Sequence, residues 1–246
     1  MPPPPKNLPL ILSALVTAIL ITTGCGGNTS DDTQVRMVNA VPDSQPVDIY
    51  FNGALKISAL PFGSAIPDTT PVSYLPVPAG LIDIQGFVTG SQVNPVSPTG
   101  YLTLNTATQY TMVAVGLTLN TSPPSLFEDD NLEPVSGNTE FRIINASINT
   151  PAKGVDIYIV PPGTDISQYT PNYTALSLGQ QTSYQQMAYT PTGYEVIVTP
   201  NVKKVPRLVD QVYTPKLSSI TTLVVIDNVG GTNGISPTPL ELNDLN

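Results

Sequence analysis

The sequence predicts an all-β protein, built as two tandem immunoglobulin-like antiparallel β-sandwich domains behind a cleaved amino-terminal leader. Three observations point there. Short runs alternate with period two, as in Val47, Ile49 and Phe51 against Asp48, Tyr50 and Asn52, and no segment after residue 25 sustains the helical period of 3.6 over three turns. The 27 prolines and 18 glycines punctuate these runs with turn signals, and roughly seven or eight short strands per 100 residues, with turns about every 8 to 12, is the rhythm of a two-sheet sandwich. Finally, the chain contains itself twice.

At the amino terminus Lys6 is the only charged side chain before Asp31, and an apolar run from Leu8 to Ile21 follows it, broken by Pro9, Ser13 and Thr17. A membrane-spanning helix needs roughly 20 apolar residues, so this shorter run is expected to be an export leader, residues 1–24, that is removed. Next comes Thr22-Thr23-Gly24-Cys25-Gly26-Gly27, which resembles the lipobox of bacterial lipoproteins, with Thr22 where Leu, Val or Ile is usual. The resemblance implies that Cys25, the only cysteine, is lipidated by palmitate-type chains on its sulfur and on the new amino group. Buried lipid contributes about 0.8 kcal/mol per methylene, and more than one chain gives a stable anchor. With Gly26 rather than Asp after the cysteine, the resemblance implies an outer-membrane lipoprotein facing the periplasm or the surface. Residues 25–33 read as a polar tether reaching at most about 30 Å.

The repeat is seen by laying the chain on itself. Arg36-Met37-Val38-Asn39-Ala40 matches Arg142-Ile143-Ile144-Asn145-Ala146, and Val47-Asp48-Ile49-Tyr50 matches Val155-Asp156-Ile157-Tyr158. The change in offset between the two blocks falls in an intervening loop, where insertions are tolerated. Ser73-Tyr74 corresponds to Ser183-Tyr184, and Pro78-Ala79-Gly80 to Pro191-Thr192-Gly193. Each copy ends in a hydrophobic strand, 111–115 or 222–226, and a short acidic finish, 126–130 or 240–244. The expected division is therefore repeat 1 at 34–131, a linker at 132–138, and repeat 2 at 139–246.

These landmarks resemble the bacterial envelope domains of the domain-of-unknown-function family 4397 (DUF4397). The family opens with an Arg-hydrophobic-hydrophobic-[His/Asn]-Ala block, as at Arg36 to Ala40. A Pro-Asp turn follows, as at Pro42-Asp43, and then a Val-Asp-[Val/Ile]-Tyr strand, as at Val47 to Tyr50. A Tyr-containing strand, a Pro-Ala-Gly turn and a Tyr-Thr-hydrophobic strand ending in Gly complete it, as at Tyr74, Pro78 to Gly80 and Tyr110 to Gly116. The first copy matches better, since Thr221-Thr222 stands where Tyr110-Thr111 does. The resemblance implies a fold and an envelope location and carries no catalytic residue.

Composition limits the chemistry. There is no histidine and no tryptophan, and Cys25 is reserved for lipid, so histidine triads, thiol nucleophiles and Cys/His zinc sites are excluded. Without disulfides, burial and backbone pairing must hold the fold. Once Lys6 leaves with the leader, eight basic groups face eighteen acidic ones, a balance that argues against nucleic acid as a partner. Lys203 and Lys204 keep serine–lysine chemistry formally open, yet no motif presents a serine on a sharp turn. A glycosidase would need two facing carboxylates, and no pair stands out.

Charges are scarce enough that each is a candidate. Arg36 with Asp48, and Arg142 with Asp156, read as arginines paired across the sheet with aspartates, a structural role repeated because the fold needs it. Asp31-Asp32, Glu128-Asp129-Asp130 and Asp227-Asn228 offer oxygen ligands for calcium but lack the spacing of a recognised calcium loop. Tyr50, Tyr74, Tyr101, Tyr158 and Tyr184 are candidates for an aromatic surface or for sheet packing. The expectation is a non-catalytic structural or protein-interaction module, adhesion-like, with no cofactor and no metal. Its partners are the membrane through its lipid and an envelope protein or glycan. The alternative is a ligand- or carbohydrate-binding envelope lipoprotein, which a concave pocket or aromatic platform would distinguish.

Overall fold

The computed structural model describes residues 1, 2, 33–67, 74–120, 122–227 and 238–244. Residues 3–24 of the leader, Cys25, Asp31 and Asp32 lie outside the described residues. The first copy contributes β1 (Thr33–Asn39), β2 (Val47–Phe51), β3 (Ala54–Leu60), β4 (Ser64–Ile66), β5 (Leu75–Val77), β6 (Gly80–Val88), β7 (Pro95–Leu104), β8 (Gln109–Ala114) and β9 (Ser125–Glu128). The second contributes β10 (Asn138–Asn145), β11 (Val155–Val160), β12 (Tyr173–Leu176), β13 (Gln180–Gln181), β14 (Gln185–Ala188), β15 (Tyr194–Pro200), β16 (Val209–Tyr213), β17 (Ile220–Ile226) and β18 (Thr238–Asn243).

Both copies wind the same way. In the first, one sheet runs β4-β1-β8-β9, with β5 beside β4 along β1, and the other runs β3-β2-β6-β7. The second repeats this as β13-β10-β17-β18, with β14 on β10, and β12-β11-β15-β16. The expected all-β architecture of two immunoglobulin-like sandwiches is what forms. Among the described residues pairing is antiparallel except for one parallel ladder in each copy, Arg36 opposite Thr111 in β1–β8 and Arg142 opposite Thr222 in β10–β17. The alternation did not foretell this. A parallel pair needs a long crossover, and here nearly the whole repeat lies between its two strands.

Alternation sorts the side chains. Val35 and Met37 from β1, Ile49 and Phe51 from β2, Ile82 and Ile84 from β6 and Met112 from β8 fill the first core. Phe141, Ile143, Val155, Ile157, Val196, Val198, Leu223 and Val225 fill the second. The opposite faces of the β1 and β10 sheets carry apolar residues as well: Val38, Val113, Phe127, Ile144, Val224 and Ile226, with Ala40 and Ala146 just beyond β1 and β10, form a third buried cluster that joins the copies. The molecule is thus four sheets deep, with the β1 and β10 sheets face to face at its centre. Strands covered on both faces leave no side chain open to solvent, and β10 and β17 show no exposed residue.

Asn39 and Asn145 pin the loop after the opening strand. Each side-chain amide donates to the carbonyl of its copy's edge strand, Leu60 at 3.3 Å and Leu176 at 3.1 Å, and each side-chain oxygen accepts a backbone N–H two residues on.

Candidate functional site

The most concentrated chemistry lies where the two inner sheets meet. Arg36 and Arg142 leave the parallel ladders on the face away from their own cores, and Asp129 and Asp244 follow β9 and β18 into the same space. Arg36 Nη2 donates to Asp244 at 2.6 Å, and Arg142 Nη2 donates to Asp129 at 2.6 Å. Each arginine therefore holds the aspartate of the other copy. The aspartate of its own copy is farther, 3.8 Å for Arg36–Asp129 and 3.6 Å for Arg142–Asp244. All four side chains are 3% exposed or less.

Neighbours complete the coordination in matched fashion. Thr111 donates to Asp129 and accepts from Arg36 at 2.7 Å, while Thr222 donates to Asp244 and accepts from Arg142 at 2.7 Å. Tyr74 donates to Asp129 at 2.9 Å and Tyr184 to Asp244 at 3.0 Å, and their rings lie 5.4 and 4.6 Å from the guanidinium carbons of Arg36 and Arg142. Exchanging the copies maps the cluster onto itself, the pattern of a two-fold contact. Burial raises the Asp129 carboxyl above the ordinary range despite the arginines, the Asp244 charge adding to the effect. Burial also pushes both phenols, Tyr74 and Tyr184, well above theirs. Two cations and two anions balance, and every group is neutralised within the cluster, so it joins surfaces rather than presenting a reactive group to solvent.

This arrangement corrects the expected pairing of Arg36 with Asp48 and of Arg142 with Asp156. The arginines stand on the inner sheets and those aspartates on the outer ones, with a core between them. Asp48 instead accepts from the backbone of Ala59 at 2.8 Å and Gly90 at 3.3 Å, and from the hydroxyls of Ser58 and Thr89. Asp156 accepts from Ala175 N at 3.0 Å, Asn201 Nδ2 at 2.8 Å and Val202 N at 2.8 Å. Ala59 and Ala175 are left-handed, with φ of 53° and 55°. Each aspartate thus ties a bulged edge strand to the turn after the central one. For Asp48, burial opposes ionisation, but the N–H groups of Ala59 and Gly90 and the two hydroxyls outweigh it and hold the carboxyl below its ordinary range. Asp48→Ala and Asp156→Ala are each expected to cost about 1–3 kcal/mol by stranding these N–H groups. For Asp48 the loss in denaturant midpoint should be full at neutral pH and fade as pH falls through the depressed carboxyl value, where the wild type loses the same bonds.

The acidic groupings also serve the fold. Asp129 is consumed by Arg142 and Thr111, and Asp227 accepts from Ser147 Oγ at 2.5 Å, Ile148 N at 2.9 Å and Asn149 Nδ2 at 2.8 Å. Asn228 lies outside the described residues. Among the described residues no three acidic side chains are grouped to hold a metal ion.

The two copies differ on the outer sheet. Thirteen positions separate Val47 from its partner Leu60, but twenty-one separate Val155 from Leu176. The extra length, within 161–172, folds across the β11–β15 face. Ile166 is buried there with Tyr158, Val160 and Ile197, which explains why β11 has no exposed residue. Lys204 Nζ donates to Ile166 O at 2.6 Å and to Tyr169 O, and lies 5.5 Å above the Tyr158 ring. Beside this strap opens a cleft of about 500 Å³, lined by Tyr158, Tyr169, Pro171, Thr174 and Val202 among others. No motif announced it. The departure from the repeat over 161–172 was the available signal.

Of the five tyrosines singled out, Tyr74 and Tyr184 join the central cluster and Tyr158 floors the cleft. Tyr50 packs edge-on against Phe87 at 5.6 Å, and Tyr101 is 64% exposed on the outer sheet of the first copy.

The profile of the family described as "Domain of unknown function (DUF4397)" matches residues 33–158. No curated protein matches the chain. Among solved structures, one described by "Alpha-glucan binding by a streptococcal virulence factor" aligns at 12% identity and a TM-score of 0.28, covering 80% of this chain and 94% of that one. A candidate cell adhesion protein from Bacteroides fragilis aligns at 10% identity and a TM-score of 0.21, covering 87% and 97%. Scores this low carry no argument about either protein's activity here.

Proposed function

This chain belongs to the DUF4397 family, whose description assigns no activity, and from that premise we propose that it is a non-catalytic binding module of the cell envelope, held at a membrane by lipid on Cys25. One observation carries the reading. The Arg36, Arg142, Asp129 and Asp244 charges are spent in fastening one sandwich to the other, so the scarce reactive groups support a rigid body whose outer sheets, loops and cleft remain available to a partner. The lipid follows from Cys25 within its lipobox-like setting, and Gly26 favours the outer membrane. An adhesion-like role toward an envelope protein or glycan fits such a body.

Cross-linking in intact cells, with wild type beside Cys25→Ser, tests this. The wild type is expected in the membrane fraction, cross-linked to an envelope component, and the variant in the soluble fraction without that adduct. Wild-type protein in the cytosol with its leader intact would sink the proposal.

A further inference from the structure

We propose that the cleft on the β11–β15 face binds a neutral saccharide unit, with Tyr169 as the ring on which a sugar packs. This rests on the reading of the chain as a binding module and names the ligand of one site within it. The strap that makes the cleft is dispensable for the fold, because the first copy closes the same sheet without it: Asn52 and Gly53 join β2 to β3 directly. Extra chain that the architecture does not need, on the outer face of one copy only, is where a function added to a duplicated scaffold is sought.

The strap is also fixed in place. Its end is held by Asn172, whose N–H donates to Ile157 O at 2.8 Å and whose side chain accepts from Ile159 N at 2.8 Å. Its middle is held by Ile166 in the small outer core and by Lys204 on the carbonyls of Ile166 and Tyr169. Tyr169 therefore has an anchored backbone and is 48% exposed as a residue, an aromatic side chain that little entropy is lost in ordering.

The charges decide the ligand class. The cleft holds one cation and one anion, Lys204 and Asp156, so it has no net charge; Lys204 is also engaged by two carbonyls, and Asp156 by Ala175, Asn201 and Val202. Neither is left to select an ion, and the chain's net charge of −9 repels anions besides. A purely apolar ligand fits poorly too. Tyr169, Thr170 and Thr174 line this space and bring hydroxyls that no hydrogen bond among the described residues occupies, so hydrocarbon covering them would strand them. A pyranose answers both halves of the surface, its C–H face against Tyr169, Pro171 and Val202 and its hydroxyls toward the threonines. About 500 Å³ lies within the range of small-ligand sites.

The full chain, in a zwitterionic detergent free of sugar, should be titrated with maltotriose, cellotriose, chitotriose and mannotriose, and with trigalacturonate as the anionic control. At least one neutral trisaccharide is expected to bind with a Kd below about 1 mM, more tightly than trigalacturonate. Tyr169→Ala should weaken it by about tenfold or more and Thr174→Val by less, while Tyr101→Ala on the other sandwich leaves it unchanged. No binding up to about 10 mM, or equal losses from Tyr169→Ala and Tyr101→Ala, overturns the inference. If saccharides fail while Tyr169→Ala abolishes a cross-link whose other member is a protein, the occupant is that protein, so the saccharide falls and the binding module stands. If the cross-link is absent as well, both fall.

Discussion

Arg142→Met is expected to destabilise the folded chain by about 3–5 kcal/mol, the largest loss from any single charge. Arg142 is fully buried and holds Asp129 at 2.6 Å, Thr222 through both Nε and Nη2, and the Glu128 carbonyl and Gln181 through Nη1. Methionine keeps much of the volume and none of the charge, leaving Asp129 and Asp244 to share Arg36. The pH dependence gives the test its sign. Burial already raises the Asp129 carboxyl, and Arg142 is the strongest influence pulling it back, so the substitution lifts it further. A carboxyl whose folded pKa exceeds its unfolded value takes up a proton on folding. Its penalty is absent below the unfolded value of about 3.9 and grows as pH rises through the folded one. The deficit of Arg142→Met should therefore be smaller at pH 4 than at pH 7 in urea midpoints. Arg142→Met/Asp129→Leu should cost less than Arg142→Met alone, because it removes the orphaned charge with its partner. A deficit that shrinks as pH rises, or a double variant no better than the single, would refute this account of the cluster.

That cluster marks the limit of what the sequence could show. Its members were visible: Arg36 and Arg142 in matching blocks, Tyr74 and Tyr184 as paired landmarks, and an acidic finish closing each copy. Their partners were not, because alternation fixes which face a side chain takes within a sheet and says nothing about which sheets meet. Asp48 is the acidic residue near Arg36 in the repeated blocks, whereas the partner of Arg36, Asp244, lies 208 positions away. A signal for the central contact was present in runs such as 222–226, Thr-Leu-Val-Val-Ile, which lack a polar half and so imply cover on both faces. The aspartates of the outer sheets fared better: a structural role was expected and is what the backbone bonds of Asp48 and Asp156 provide, although by a different partner. The cleft was illegible for the opposite reason. It arises where the second copy stops resembling the first, and a difference between repeats has no period to detect.

Gly193→Ala is expected to cost about 3–5 kcal/mol, while Gly80→Ala costs about 1–2. The two glycines close corresponding Pro-Ala-Gly and Pro-Thr-Gly turns, and at the level of sequence they are interchangeable. Strand register separates them. Ile84 pairs with Phe51 and Val196 with Ile159, so Gly80 stands four residues before its marker and Gly193 only three, drawn one step closer to the strand. Both have positive φ, 109° and 74°, and alanine at either is strained. A methyl group at Gly80 meets nothing within 4 Å, whereas at Gly193 it would lie 2.1 Å from the carbonyl oxygen of Tyr213. That oxygen belongs to β16, whose Tyr213 is the partner of Tyr194 in β15. Relief requires the two strands to separate at their first pair, next to the contact of Phe141 with Tyr194 at 6.2 Å. Urea midpoints of the two variants, compared at unchanged slope, read the difference directly. Equal losses would mean that left-handed strain alone governs both turns and that the close approach of β16 carries no weight.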